Sequence, residues 1–138
     1  MAYNLPAFLN GAQNFIIALL LSCALLALFK RIYQAITPYN ERALIAEGNM
    51  AAAVALGGSM LGFALPLASA LTETADRVEF VMWGILAGVV QILSFTILRR
   101  FIVADVKGNI EAGNMAVAIY LAATAIAVGL LNAASMTY

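Results

Sequence analysis

The sequence predicts an all-α integral membrane protein in which four transmembrane helices form two parallel tandem hairpins. The first observation behind this prediction is composition. Hydrophobic residues make up 64% of the 138 residues and charged residues only 10%, whereas about a quarter of an ordinary soluble domain is charged. A soluble core in so short a chain cannot bury that much apolar surface, so lipid is the expected solvent.

The second observation is the presence of four apolar segments, at residues 11–33, 49–71, 80–98 and 115–136. Each is close to the roughly 20 residues that cross about 30 Å of hydrocarbon. A secretory signal peptide carries its positive charge before the apolar stretch. Lys30 and Arg31 instead follow the first segment, so we expect this segment to remain as a mature helix.

The third observation is an internal repeat. Residues 45–51 read IAEGNMA, and residues 110–116, 65 positions later, read IEAGNMA. Two similar stretches of sequence at a fixed spacing indicate that the architecture is built from repeated units. The repeat predicts a single membrane domain over residues 1–138, with one repeat at about 8–71 and a second at about 77–138. Because each repeat crosses the membrane twice, both enter it the same way, and their axis should follow the membrane normal.

The orientation follows from the cations of the connections, since Lys and Arg on short loops favour the cytoplasmic side. The connections after the first and third segments carry six cations, and the one after the second carries Arg77 alone beside three acidic residues. We therefore expect both termini to be periplasmic. Aromatic rings favour headgroup depth. We expect the rings of Tyr3, Trp83 and Tyr138 at the outer interface, and the rings of Tyr33 and Tyr39 at the inner interface.

The repeated motifs stand where a polar connection meets an apolar helix. Their candidate polar residues are Glu47, Gly48 and Asn49 in the first copy, and Glu111, Gly113 and Asn114 in the second. One interpretation is structural: asparagine caps a helix, glycine permits a sharp turn, and a carboxylate favours the positive helix end. The alternative is a cytoplasmic polar site for a phosphate or lipid headgroup. The glutamates are one position out of register, which argues against a symmetric carboxylate pair.

Small residues line the second and fourth segments. Gly58 and Gly62 form a GxxxG pair, and Gly129 lies on a similar face. Such faces let helix backbones approach closely in lipid. We expect these two helices to pack tightly, either against each other or against a second subunit.

Polar side chains also lie at membrane depth. Ser59 and Thr124 each come ten residues after their asparagine, or about 15 Å deep at 1.5 Å per residue. Each hydroxyl could bond the carbonyl of its own preceding turn. Alternatively, together with Gln91 and Ser94, they line a narrow polar path. Asn132, nearer the outer end, is expected to reach the interface.

Several chemistries lack their usual residues. The chain has no histidine, a single cysteine and no net charge, so we expect no catalytic residues, no metal, no cofactor and no nucleic-acid partner. Arg99 and Arg100 lie at the cytoplasmic end of the third segment, where cations bind anionic lipid headgroups.

The duplicated motif, with Glu47-Gly48-Asn49 in its first copy, resembles that of the YjfL-like bacterial inner-membrane family, a domain of unknown function, over nearly the whole chain. The resemblance implies a bacterial inner-membrane location. It also implies that the gene shares an operon with genes for phage-shock-type peripheral membrane proteins and glutathionylspermidine-synthase-like ligases. It supplies no activity and no catalytic residues.

Two functions are therefore expected. The first is a non-enzymatic membrane module that forms a homo-oligomer through its small-residue faces and recruits a peripheral cytoplasmic partner in envelope stress. The alternative is a small transporter or channel with a polar path between the repeats. The lack of a charge at the centre of any apolar segment weakens the case for an ion-coupled carrier.

Overall fold

The computed structural model describes residues 4–136, and this part of the chain is helical with no strands. Six α-helices follow in the order α1 (Leu5–Ile36), α2 (Glu41–Ala46), α3 (Met50–Glu73), α4 (Arg77–Ile97), α5 (Val106–Glu111) and α6 (Met115–Ala134). A π-helical turn, Leu98–Ile102, extends α4. The helices α1, α3, α4 with its π turn, and α6 are each long and apolar enough to cross a membrane. The predicted fold class is confirmed at this level.

The connections differ from the prediction. The first helix is longer than residues 11–33 at both ends, and the two basic connections contain the short helices α2 and α5. Asn40 begins α2 by accepting a hydrogen bond from the Ala43 amide, and Asp105 does the same for α5 with the Gly108 amide. Short capped helices leave few hydrophobic-period repeats, which is why apolarity did not predict them.

The helices α3 and α6 form the centre of the bundle and run parallel. A Cβ added at Gly58 would collide with Ala122, and one at Gly129 would collide with the Gly62 backbone. Near their ends, the Ser69 hydroxyl donates to the Ala133 carbonyl at 3.2 Å. The predicted small-residue faces therefore meet within one chain, and their glycines allow the two backbones to touch.

The outer helices α1 and α4 also run parallel. Arg77 donates to the Asn14 side chain at 3.1 Å at one end, and Arg99 donates to the Ile36 carbonyl at 3.1 Å at the other. The contact of the Phe29 ring with Phe63, at a centroid distance of 4.5 Å, joins α1 to the central pair. We call the end near Arg99 the basic end and the opposite end, near Arg77, the acidic end.

The repeated motif forms a corner between a short helix and a long one. The Gly48 amide donates to the Ile45 carbonyl and the Asn49 amide to the Leu44 carbonyl; 65 positions later the same two bonds recur. This is the pattern of a Schellman helix end. Gly48 and Gly113 have φ of 86° and 77°, so both stand where a side chain would be strained. The two corners meet at the basic end. The extent of the repeats, their origin by duplication and the orientation in the membrane stay predictions.

Candidate functional site

A small cavity lies at the centre of the bundle, where the two halves of the chain meet. Its volume is about 10 Å³, which leaves room for no more than about one water molecule. Five polar side chains line it: Tyr33, Ser59, Gln91, Ser94 and Thr124. The structure therefore brings together the residues of the predicted polar path, and adds a tyrosine that was expected at the inner interface.

Gln91 is the most constrained of these side chains. It is 4% exposed, and its amide nitrogen donates to the Ala125 carbonyl at 3.2 Å. Its amide oxygen accepts from Asn132 at 3.3 Å, and Asn132 also donates to the Ala87 carbonyl at 3.2 Å. The expectation that Asn132 reaches the interface was wrong. In lipid, a side-chain amide is more stable when it is hydrogen-bonded to another helix than when it is unpaired. The Asn132 side chain therefore points into the bundle.

Ser59 and Thr124 differ from the other helical hydroxyls. Ser22 and Thr96 donate to the carbonyl four residues earlier, as hydroxyls in apolar helices often do. Over residues 4–136 no such bond is found for Ser59 or Thr124, although Ser59 is 5% exposed. Ser59 instead lies beside the Tyr33 hydroxyl, and the side chains of Ser59 and Thr124 both line the cavity.

Two tyrosines continue the polar column from the cavity towards the basic end. Tyr33 is 1% exposed and Tyr39 6%, so both rings face the inside of the bundle, and their place at the inner interface stays a prediction. The Tyr33 ring packs on Phe95 at 4.8 Å, which draws it into the bundle. The hydroxyls of Tyr33 and Tyr39 are buried with no hydrogen-bond partner among the described residues. The two hydroxyls nevertheless lie near enough to interact with each other, and that of Tyr33 with Ser59, so the polar column is continuous from Tyr39 to the cavity.

Glu41, the first residue of α2, is a buried carboxylate that was not among the predicted site residues. It is 2% exposed, and the Thr37 hydroxyl donates to it. Burial raises the pKa of the Glu41 carboxyl, while the Thr37 bond and a backbone bond oppose the shift. Burial likewise raises the pKa of the neighbouring Tyr39 phenol. The sequence contains one signal that could have identified Glu41. The 65-residue repeat offset aligns this glutamate with an apolar residue, Val106.

The repeated corner residues have mostly structural roles here. The side-chain oxygens of Asn49 and Asn114 accept from the Ala52 and Ala116 amides at 3.0 and 3.1 Å, as the capping interpretation predicts. The Asn49 amide also donates to the Ile110 carbonyl at 2.8 Å, which ties the first corner to α5. The two asparagines do not pair with each other.

The two motif glutamates are exposed and lie at the C-terminal ends of the short helices. Glu47 is the C-cap of α2, and Glu111 is the last residue of α5. They also stand shortly before the caps of α3 and α6, so each lies between the negative end of a short helix and the positive end of a long one. Glu111 meets Asn49 only through its backbone carbonyl, 3.5 Å from the Asn49 amide nitrogen.

Arg99 and Arg100 lie on the π turn. Arg99 is half-buried and held by the Ile36 carbonyl, whereas Arg100 is exposed. Over the described residues, no group of three His, Cys, Asp or Glu side chains could hold a metal ion. Tyr3 and Tyr138, expected at the outer interface, lie outside the described residues.

Residues 7–136 match the family described as Domain of Unknown Function (DUF350). The chain belongs to the DUF350 family. Among curated relatives, it is 36% identical over 115 residues to the UPF0719 inner membrane protein YjfL of Escherichia coli (strain K12), covering 83% of this chain and 86% of that protein. It is 29% identical over 105 residues to the UPF0719 transmembrane protein YshE of Bacillus subtilis (strain 168), covering 76% and 78%. No solved structure matches this DUF350 chain. The resemblance drawn from the motif is confirmed.

Proposed function

We propose that this protein is a non-enzymatic, multi-pass inner-membrane protein that provides a route for a small solute or ion between its two halves. The observation that carries the proposal is the central cavity, which Ser59, Gln91 and Thr124 line from three different helices. The relative named an inner membrane protein and the four apolar helices support the location.

The Gln91–Asn132 pair is the proposed gate of this route. It closes the column on the side away from the tyrosines, and the amides bond backbone carbonyls of α6 and α4. Interhelical bonds in membranes are worth only about 0.6–2 kcal/mol each. Such a pair is therefore strong enough to hold a closed state and weak enough to open.

Reconstitution into liposomes tests the route. Proton flux followed with a trapped pH-sensitive dye, and potassium flux followed with a trapped fluorescent indicator, are compared with empty vesicles. We expect Ser59→Ala to lower the flux about tenfold, as a loss of about 1.4 kcal/mol of stabilisation implies. Gln91→Leu removes the hydrogen bonds of the gate, so we expect it to raise the flux. Thr96→Val is the matched control, since Thr96 lies on the same helix as Gln91 but bonds its own backbone. Flux that neither substitution changes would contradict the route.

Self-association is a second candidate function, as is recruitment of a peripheral cytoplasmic partner. The small-residue faces predicted to drive it are occupied, because Gly58, Gly62 and Gly129 lie in the α3–α6 contact. The surface open to a second copy is instead the apolar groove between α1 and α4, of about 240 Å³, lined by Leu28, Gly88 and their neighbours. Mass photometry in lipid nanodiscs tests it: a strictly monomeric protein rules out the homo-oligomer.

A further inference from the structure

We propose that Glu41 is a proton-binding site, and that its protonation state sets the hydrogen bonding of Thr37, Tyr39 and Tyr33 beside the central cavity. This inference deepens the proposed transport function, on which its physiological role rests, by naming the proton as the coupling ion. The site itself is defined by the contacts of α2 and can be measured without any transport.

The Thr37 hydroxyl has more hydrogen-bond acceptors within reach than it has protons to donate. The Thr37 hydroxyl is within reach of three acceptors: the Gln34 carbonyl at 3.0 Å, the Tyr39 carbonyl at 3.3 Å and a carboxylate oxygen of Glu41. A hydroxyl has only one proton to donate. A proton bound at Glu41 can be donated to the Thr37 oxygen, which frees the Thr37 proton for one of the carbonyls.

The two tyrosines link Glu41 to the cavity. The Glu41 charge acts on both phenols, and the polar neighbours of the Tyr33 hydroxyl are Tyr39 and Ser59. Both phenol hydroxyls are buried, and Tyr33 and Ser59 line the cavity. The charge on Glu41 therefore decides which way these hydroxyls point, and thus what the cavity presents to a guest.

The residue at the equivalent place in the second half shows that packing does not require a carboxylate. Val106 is the first residue of α5 as Glu41 is of α2, and each is 2% exposed. An apolar side chain fills that place in one corner, whereas the other accepts the cost of burying an ionisable group. Buried ionisable groups with perturbed pKa values are typical of functional sites.

Charged groups surround Glu41 without pairing with it. Lys30 and Arg31 of α1, Arg42 of α2, Lys107 and Glu111 of α5 line the same open cleft as Glu41, and Arg99 of the π turn acts on Tyr39. No cation is among the groups that set the Glu41 pKa. The cleft gives the carboxyl a path for proton exchange with solvent.

Infrared spectroscopy of the full chain in lipid tests the site. We expect a protonated-carboxyl band that titrates above the ordinary glutamate pKa of about 4.3 and disappears in Glu41→Gln. Glu47→Gln is the control, since Glu47 is exposed. Thr37→Val should move the midpoint higher, because the Thr37 bond favours the charged form. A purely structural Thr37 would not move it. A band that Glu41→Gln leaves intact, or whose midpoint is ordinary, overturns the proposal.

The pH dependence of stability gives a second readout. A folded-state pKa raised above the unfolded value means that the folded protein binds more protons between the two values, so stability falls as pH rises through that window. Glu41→Gln should abolish this loss while Glu47→Gln keeps it. If the titration is found but liposomes show no flux, the proton site stands and the transport route fails. Flux without a titrating Glu41 supports the route and overturns the proton site.

Discussion

The corner between α2 and α3 and the corner between α5 and α6 have the same helix-end hydrogen bonds, but they bury residues of different polarity. Asn40 and Asp105 cap the short helices, Gly48 and Gly113 end them, and the same hydrogen bonds recur. The difference lies in the buried first residue of each short helix, which is a glutamate in one and a valine in the other. The backbones also differ at these caps, where φ is −94° at Asn40 and 51° at Asp105, so the likeness lies in the helix ends at the two glycines.

The second difference concerns how each corner is tied to the rest of the bundle. The Asn49 amide reaches across to the Ile110 carbonyl, whereas the Asn114 amide donates to the Asn109 side chain within its own corner. The first corner is therefore anchored by the second, but not the reverse. Substitutions should reveal this asymmetry.

The largest expected effect is from exchanging the buried residues. Val106→Glu places a carboxylate where no threonine precedes it at the equivalent position, which is Ile102. An uncompensated buried charge costs about 3–5 kcal/mol, so we expect a loss of that order at neutral pH. Glu41→Val should be neutral or stabilising, as replacing a buried charge by an apolar group often is. Unfolding in mixed detergent micelles measures both, and equal losses would show that the corners are not different.

A substitution in the α3–α6 contact should separate the two halves. Gly58→Val would collide with Ala122, and overpacking costs about 1–3 kcal/mol. Gly57→Val is the matched control, because an added Cβ at Gly57 meets nothing within 4 Å. Thermal denaturation in nanodiscs should rank Gly58→Val well below Gly57→Val. Equal melting temperatures would mean that the halves are not held by this contact.

Removing the caps should show the asymmetry between the corners. Loss of an asparagine cap costs about 1 kcal/mol, and Asn49→Ala also removes the bond to Ile110. We expect Asn49→Ala to cost about 1 kcal/mol more than Asn114→Ala, measured by the same micelle unfolding. A larger loss for Asn114→Ala would reverse the anchoring described above.

The smallest difference in stability between the two corners is expected at their glycines. Gly48→Ala and Gly113→Ala place a side chain at φ of 86° and 77°, at a cost of about 1–2 kcal/mol each, and neither added Cβ has a neighbour within 4 Å. Equal losses of stability would confirm that the two corners share the helix ends at these glycines. A difference of more than about 1 kcal/mol between them would show that one glycine has another role.

Much of this protein could be predicted from the sequence by itself. Apolarity and length determine a helical membrane protein, because unpaired backbone groups are too costly in lipid for most other structures. The Gly-Asn pairs determine two sharp turns and two helix starts, because φ above zero and side-chain capping are local properties of one residue and its neighbours. The small residues determine that α3 can approach another helix closely.

The tertiary structure alone decided which groups are buried together. The apolarity of the segments does not tell lipid-facing residues from core ones, so the inward packing of Tyr33, Tyr39 and Asn132 was not predicted. Glu41 lies in a polar connection, and only the packing of α2 against α3 hides its carboxyl. Burial and pairing depend on contacts between residues far apart in the chain, and one sequence does not contain those contacts.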